Sequence, residues 1–186
     1  MAEPTADGIR IYPNPVGVLT NNPPFPFHLE HLSMYRGISP RESPTRFAPN
    51  TDFPNFSRGL NAVGLPGDLS SPSRFVRAAF VKLNSVIPQT EERSVNQCFH
   101  ILGAVEQVEG CVRIDSELER TQYTSCCNTD EGIYYYKTYE NHQITAVSLQ
   151  DADLDGDALL LHPLITRQQI RREKTSAFPD FSTPLL

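Results

Sequence analysis

One stretch constrains this chain more than any other: Gly64-Leu65-Pro66-Gly67-Asp68-Leu69-Ser70-Ser71-Pro72-Ser73-Arg74-Phe75-Val76-Arg77, a loop that opens into a helix. Gly64 and Gly67 permit backbone angles that a Cβ disfavours. Ser71 is placed to cap the helix, with Pro72 at the first helical position, where its missing N–H costs little. Phe75, Val76, Ala79, Phe80 and Leu83 then recur at helical spacing and make an apolar face. Arg74 falls in the first turn, where the helix end already carries partial positive charge. A cation held there at electrostatic cost fits a functional role, and it equally fits a solvated surface arginine, the commoner case.

Upstream, Gly8 to Tyr12 alternates and reads as a short strand. Val16 to Asn21 reads as a second, largely buried strand that ends in Asn21-Asn22-Pro23-Pro24, and Phe27 to Tyr35 reads as a helix. Residues 36–63 show little periodicity and form a long connection, either a functional loop or a surface segment. Downstream, Pro88 ends the first long helix. Thr90 caps another, with Glu91 and Glu92 in its first turn and an apolar stripe of Val95, Cys98, Phe99, Leu102 and Val105. Cys111 to Ile114, Thr121 to Cys127, Gly132 to Tyr139 and Gln143 to Leu149 favour strands, and the turns at Asn128–Gly132 and Glu140–His142 suggest an antiparallel meander. A last strand is expected over Ala158 to Leu164. The sum is an α+β fold with two central helices against an antiparallel sheet.

Several constellations invite chemistry. Asp151-Ala152-Asp153-Leu154-Asp155-Gly156-Asp157 copies the opening of a calcium loop, but its twelfth position is His162 and its flanks read as strands, so a solvated turn is the better reading. Cys126 and Cys127 with Cys111 and His142 match no common zinc spacing, and adjacent strand residues face opposite ways, so thiols packed as small hydrophobes are expected. Tyr134 and Tyr136 share a strand face and read as sheet packing. His28 and His31 lie three apart on one helix with no third ligand, and surface histidines are the default. No metal and no cofactor is expected. Asn21, at the end of its strand, could donate to a developing oxyanion or cap a turn, and chemistry alone does not choose.

The chain's 186 residues suit one soluble domain, and its net charge of −6 argues against sequence-independent nucleic-acid binding. No apolar run approaches the ~20 residues of a membrane span. The polar start, Met1 to Asp7, does not read as a signal peptide, so reduced thiols and a cytoplasmic location are expected.

Asn14-Pro15-Val16-Gly17-Val18-Leu19-Thr20-Asn21-Asn22-Pro23, the Gly64 to Arg77 stretch, Tyr123 to Asn128 and Gly132 to Tyr136 together resemble the choloylglycine hydrolase family of conjugated bile salt hydrolases and penicillin V acylases. The resemblance runs from about Glu3 to about Gln169, and its cysteine pair and tyrosine run lie nearer the bile salt hydrolases. It implies an N-terminal nucleophile hydrolase with an αββα sandwich, whose catalytic cysteine uses its own α-amino group as base. By that resemblance Asn21 stands at the oxyanion hole and Arg74 beside the nucleophile, where a guanidinium favours thiolate.

The same resemblance sets expectations about what this chain lacks. It begins Met1-Ala2, and the family's N-terminal portion, with nucleophile and neighbouring groups, is expected to be absent; Cys98, Cys111, Cys126 and Cys127 cannot substitute, because the base is the nucleophile's own amine. The expected organisation is a choloylglycine hydrolase-like unit over residues 1–169 lacking its N-terminal portion, then a polar, proline-rich tail over 170–186 that frays. The function implied is the C-terminal part of a conjugated bile salt hydrolase, inactive without a separate N-terminal half chain and homo-oligomeric if complete. The alternatives are a degenerate remnant, a bile-acid-binding module or a penicillin V acylase-like amidase.

Overall fold

The computed structural model of the chain describes residues 1–42 and 47–174. It opens with a hairpin, β1 (Ala2–Thr5) against β2 (Gly8–Ile11), with Glu3 opposite Arg10. The Met1 ammonium closes the open end by donating to the Tyr12 carbonyl at 2.7 Å. The polar composition of Ala2–Thr5 concealed its strand character, since the first strand is held by its ladder and not by an apolar face. Glu3 also reaches forward: its Oε1 accepts from the Phe25 amide at 3.3 Å, which satisfies a free N–H at the start of α1 (Phe25–Leu32), whose own N-cap, Pro24, offers no side-chain acceptor.

The strand expected over Val16 to Asn21 does not form. Asn14 folds the chain back instead: its Oδ1 accepts from the Gly17 amide at 2.9 Å and its Nδ2 donates to the Val18 carbonyl at 2.9 Å. Gly17 sits at φ +60, a left-handed angle, and the Lys82 ammonium takes the carbonyls of Val16 and Gly17. With those groups engaged, no ladder can use them. The segment is also only partly covered, with Val16 buried and Leu19 exposed.

The two long helices stand where periodicity places them: α2 (Ser71–Asn84) and α3 (Glu91–Gly103). Phe75, Val76 and Ala79 on α2 are buried, while Leu83 projects into solvent. The helix begins one residue earlier than its cap pattern suggests. Ser70, not Ser71, is the N-cap, its side chain accepting from the Ser73 amide, so Pro72 is the second helical residue. Val16, Phe25, Phe75 and Ala79 form a buried cluster between α1 and α2, edged by Tyr12, Val18, Leu29 and Leu32. Phe25 meets Phe75 edge-on at 6.4 Å; burying each such ring contributes about 1.5–3 kcal/mol.

A small hairpin follows, β3 (Val112–Ile114) with β4 (Glu117–Glu119), and then the meander β5 (Tyr123–Asn128), β6 (Ile133–Thr138) and β7 (Thr145–Ser148), in that order and antiparallel throughout. β4 went unexpected because charged Glu-Leu-Glu carries no strand signal. Asn128 makes the first turn of the meander by accepting from the amides of Asp130 and Glu131, and Gly132 completes it at φ +66. Helix α3 packs on β5 and also on α2, so the molecule layers α1, α2, α3 and sheet.

The strand expected over Ala158 to Leu164 is also absent. That apolar run takes no regular secondary structure and pairs with no ladder, and Leu159 is 93% exposed. It is tethered just beyond its end, where the Ile165 amide donates to the Tyr136 hydroxyl at 3.3 Å and the Ile165 carbonyl accepts from Asn141 Nδ2 at 3.2 Å. Residues 175–186, most of the expected tail, lie outside the described residues.

Candidate functional site

Asn21 and the start of α2 are fifty residues apart in sequence and meet in space. Ser71 Oγ donates to Asn21 Oδ1 at 3.1 Å, and Thr20 Oγ1 lies 2.5 Å from Ser71 Oγ and 3.3 Å from Asn21 Oδ1. The carbonyl end of the Asn21 amide is thereby engaged, which leaves Nδ2, its two donors, facing away from the helix. Asn21 as a whole is exposed among the described residues.

The loop before α2 is built to fix that helix start. Asp68 Oδ1 accepts from the Ser70 amide at 2.9 Å and Oδ2 from the Ser73 hydroxyl at 2.5 Å. The Ser70 and Ser73 hydroxyls and the Ser70 amide hold the Asp68 carboxyl down at about 2, and the carboxylate suits the positive end of the helix. Arg77 secures the same loop from the other side. It donates to the Pro66 carbonyl at 2.9 Å, the Asp68 carbonyl at 2.6 Å and, through Nε, the Ala104 carbonyl at the end of α3 at 3.1 Å. Its charge thus serves the negative end of one helix while anchoring the loop that begins another.

Arg74, one turn earlier than Arg77, is held differently. Its Nε is buried and has no hydrogen-bond partner, so the structure gives this guanidinium nitrogen no structural task. Of the two arginines on this turn, Arg77 is the anchor and Arg74 carries the unspent donor.

His28 corrects the reading of the histidines as surface residues. It is 0% exposed, and neither ring nitrogen makes a well-aligned hydrogen bond, although the Asn22 and Pro23 carbonyls lie close to the ring. It packs under the Asn22–Pro23 turn with its ring on Phe75, and burial pushes its pKa below the ordinary value. Its place could be read from the sequence: with Phe25 and Leu32 it completes a spacing of three and four on one face of α1.

Adjacent on β5, Cys126 and Cys127 divide by strand alternation. Cys126 is half-buried against Cys98 of α3, while Cys127 and Cys111 are exposed, which corrects the expectation of uniformly packed thiols. Burial and the neighbouring Cys98 push the Cys126 thiol up to about 12, so it stays protonated and unreactive at neutral pH. Tyr134 and Tyr136 share a face, with ring centroids 6.2 Å apart. The acidic turn at 151–157 satisfies itself locally, Asp153 accepting from the Asp155 amide at 3.3 Å. Among the described residues no group of three or more His, Cys, Asp or Glu is placed to hold a metal, and no helix is long and apolar enough to cross a membrane.

Residues 1–162 match the model of the linear amide C–N hydrolases, choloylglycine hydrolase family. A bile salt hydrolase/transferase of Lactiplantibacillus plantarum is 52% identical over 168 residues, covering 90% of this chain and 52% of that protein. One of Clostridium perfringens is 36% identical over 160 residues, covering 86% and 49%. The crystal structure of a cysteine-to-alanine mutant of the conjugated bile acid hydrolase from Clostridium perfringens superposes with a TM-score of 0.80 at 34% identity, over 92% of this chain and 52% of that one. The chain therefore spans about half the length of the curated relatives it matches.

Proposed function

Because the chain belongs to the choloylglycine hydrolase family of linear amide C–N hydrolases, we propose that it supplies the oxyanion and thiolate-stabilising part of an amide-hydrolysing site. The nucleophile comes from the part of the fold that this chain does not match. The substrate is a conjugated bile salt, cleaved at the amide that links bile acid to glycine or taurine. The relatives described as bile salt hydrolase/transferases favour that substrate over penicillin V.

The observation that carries the reading is the Asn21 amide, turned with its carbonyl to Ser71 and its donors outward. An N-terminal cysteine attacks the substrate carbonyl as thiolate, its proton going to its own α-amine. Asn21 Nδ2 donates to the oxyanion that forms, and such a donor acts most strongly when already oriented. The C–N bond breaks, the protonated α-amine returns its proton to the leaving amine, and water then cleaves the thioester. Arg74, whose Nε has no partner, favours the thiolate by its charge.

We place the boundary of the unit near residue 169. Gln168 and Gln169 are bound to the last turn of the meander: Gln168 Oε1 accepts from the His142 amide at 2.7 Å and the Gln169 carbonyl from Gln143 Nε2 at 3.2 Å. The exposed apolar residues Ile9, Ile11 and Leu159 are in keeping with a unit that is covered elsewhere in a complete assembly, which we expect to be homo-oligomeric.

The test is complementation. This chain is co-expressed with the portion of the Lactiplantibacillus plantarum relative that it does not match, and release of glycine and taurine is measured, with penicillin V as a second substrate. Release by the complex and not by this chain alone is the expected result. A folded, stoichiometric complex that releases nothing would make the chain a degenerate remnant, and turnover of penicillin V alone would replace the substrate.

A further inference from the structure

We propose that Ser71 is a positioning residue for Asn21, fixing the direction in which the Asn21 amide presents its donors; this rests on the proposed oxyanion role of Asn21. The helix that begins at Ser71 is capped by Ser70, whose side chain accepts from the Ser73 amide at 3.4 Å. Ser71 is therefore released from capping, and its hydroxyl turns to the loop instead.

Three oxygens meet there with two protons between them. Thr20 Oγ1 and Ser71 Oγ are 2.5 Å apart, so one hydroxyl donates to the other. If Thr20 donates to Ser71, Ser71 donates to Asn21 Oδ1 across 3.1 Å. If Ser71 donates to Thr20, Thr20 donates to Asn21 Oδ1 across 3.3 Å. Either order delivers one proton to Asn21 Oδ1 and none to Nδ2. The Asn21 side chain consequently has its acceptor satisfied; in the first order Ser71 is itself the donor, and in the second it holds the Thr20 hydroxyl that donates. It also ties this amide to the helix that carries Arg74, so the two groups assigned to the reaction share one rigid support.

The pair Ser70 and Ser71 makes the inference testable, because adjacent and chemically identical side chains carry different tasks. Ser70→Ala removes a cap and is expected to lower the melting temperature of the complex by roughly 2–4 °C with kcat unchanged. Ser71→Ala is expected to leave the melting temperature in place and lower kcat roughly tenfold, a fraction of the 10²–10³ lost with an oxyanion donor, while KM moves by less than about twofold. Ser71→Thr keeps the hydroxyl and is expected to restore kcat. In the Asn21→Ala background, Ser71→Ala is expected to cost nothing further, since it acts through Asn21.

A parallel measurement needs no partner. In the uncomplexed chain, the order parameter of the Asn21 side-chain amide, read by nitrogen relaxation, is expected to fall in Ser71→Ala and to hold in Ser70→Ala. An unchanged order parameter in Ser71→Ala, or an undiminished cost of Ser71→Ala on top of Asn21→Ala, overturns the proposal. If Asn21→Ala itself leaves turnover untouched, the functional reading falls, while the relaxation experiment still decides whether Ser71 orients the amide.

Discussion

The imidazole of His28 lies on the ring of Phe75, centroids 4.7 Å apart and planes 24° from parallel. One residue sits under the turn that follows Asn21 and the other is next to Arg74, so this stack joins the supports of both proposed site residues. It also places a titratable ring where no water reaches it.

That burial sets a pH dependence. Burial lowers the His28 pKa from 6.5, and nearby His31 lowers it further, against the carbonyls of Pro23 and Asn22 and the charge of Glu3. Below 6.5 the unfolded chain binds a proton that the folded chain resists. Stability from this group is therefore complete above pH 6.5 and is lost as pH falls below it toward the lower folded value. Urea midpoints at about pH 7.5 and about pH 5.5 should show that loss, and His28→Leu should flatten it. Equal slopes for the two proteins would remove His28 as the cause.

Asp68 acts at the other end of the scale. Its folded pKa of about 2 lies below the usual 3.8, so its contribution is present above 3.8 and disappears as pH falls toward 2. A carboxyl carbon titration should report a midpoint near 2 in the native chain. Ser73→Ala, which removes one of the hydroxyls holding the carboxyl down, should move it upward; an ordinary midpoint in the unaltered chain would dissolve the clamp at this helix start.

Gly17 and Lys82 are tied both by a hydrogen bond and by close approach. A Cβ at Gly17 would strike the Lys82 ammonium, and the residue also holds φ +60. Gly17→Ala should destabilise by about 1–2 kcal/mol through the left-handed backbone alone, and by more through the displaced lysine. In a Lys82→Met background the second cost vanishes, so Gly17→Ala should cost less there than in the native chain. Equal costs in the two backgrounds would show that the ammonium yields freely.

The sequence and the structure agree where local pattern and tertiary environment coincide, and they part where one overrides the other. Helices α2 and α3 and the three-stranded meander were legible because their apolar periods match the faces they bury. Val16 to Asn21 has strand composition, but Asn14 and Lys82 take its backbone groups, and a lysine sixty-six residues away leaves no trace in a local pattern. Ala158 to Leu164 shows that an apolar run without a ladder partner is not a strand. At the candidate site, residue chemistry drew attention to Asn21 and Arg74 but left their role open, and only the resemblance proposed one. Residue chemistry could not separate Arg74 from Arg77, because the carbonyls that occupy Arg77 belong to distant turns. The role of Ser71 was hidden by Ser70, since two adjacent cap-formers give the same local signal.

Arg74 and Arg77 supply the sharpest comparison. Arg77 is spent on three carbonyls, so Arg77→Ala should cost about 1.5–3 kcal/mol of stability, and Arg77→Lys should recover little because one ammonium cannot span the same acceptors. Its effect on kcat in the complex should be small at temperatures where the complex stays folded. Arg74→Ala should do the reverse: little change in melting temperature, slower turnover, and a raised apparent pKa of the partner's cysteine, read from the pH dependence of its alkylation rate. Asn21→Ala should lower kcat by roughly 10²–10³ with a smaller effect on KM, and should leave the alkylation profile alone, since an amide carries no charge. These readouts separate the three residues: stability for Arg77, thiol acidity for Arg74, turnover alone for Asn21. If Arg77→Ala instead inactivates a fully folded complex while Arg74→Ala is silent, the assignment is misplaced by most of a helical turn, and Asn21, assigned through the same resemblance, loses its support with it.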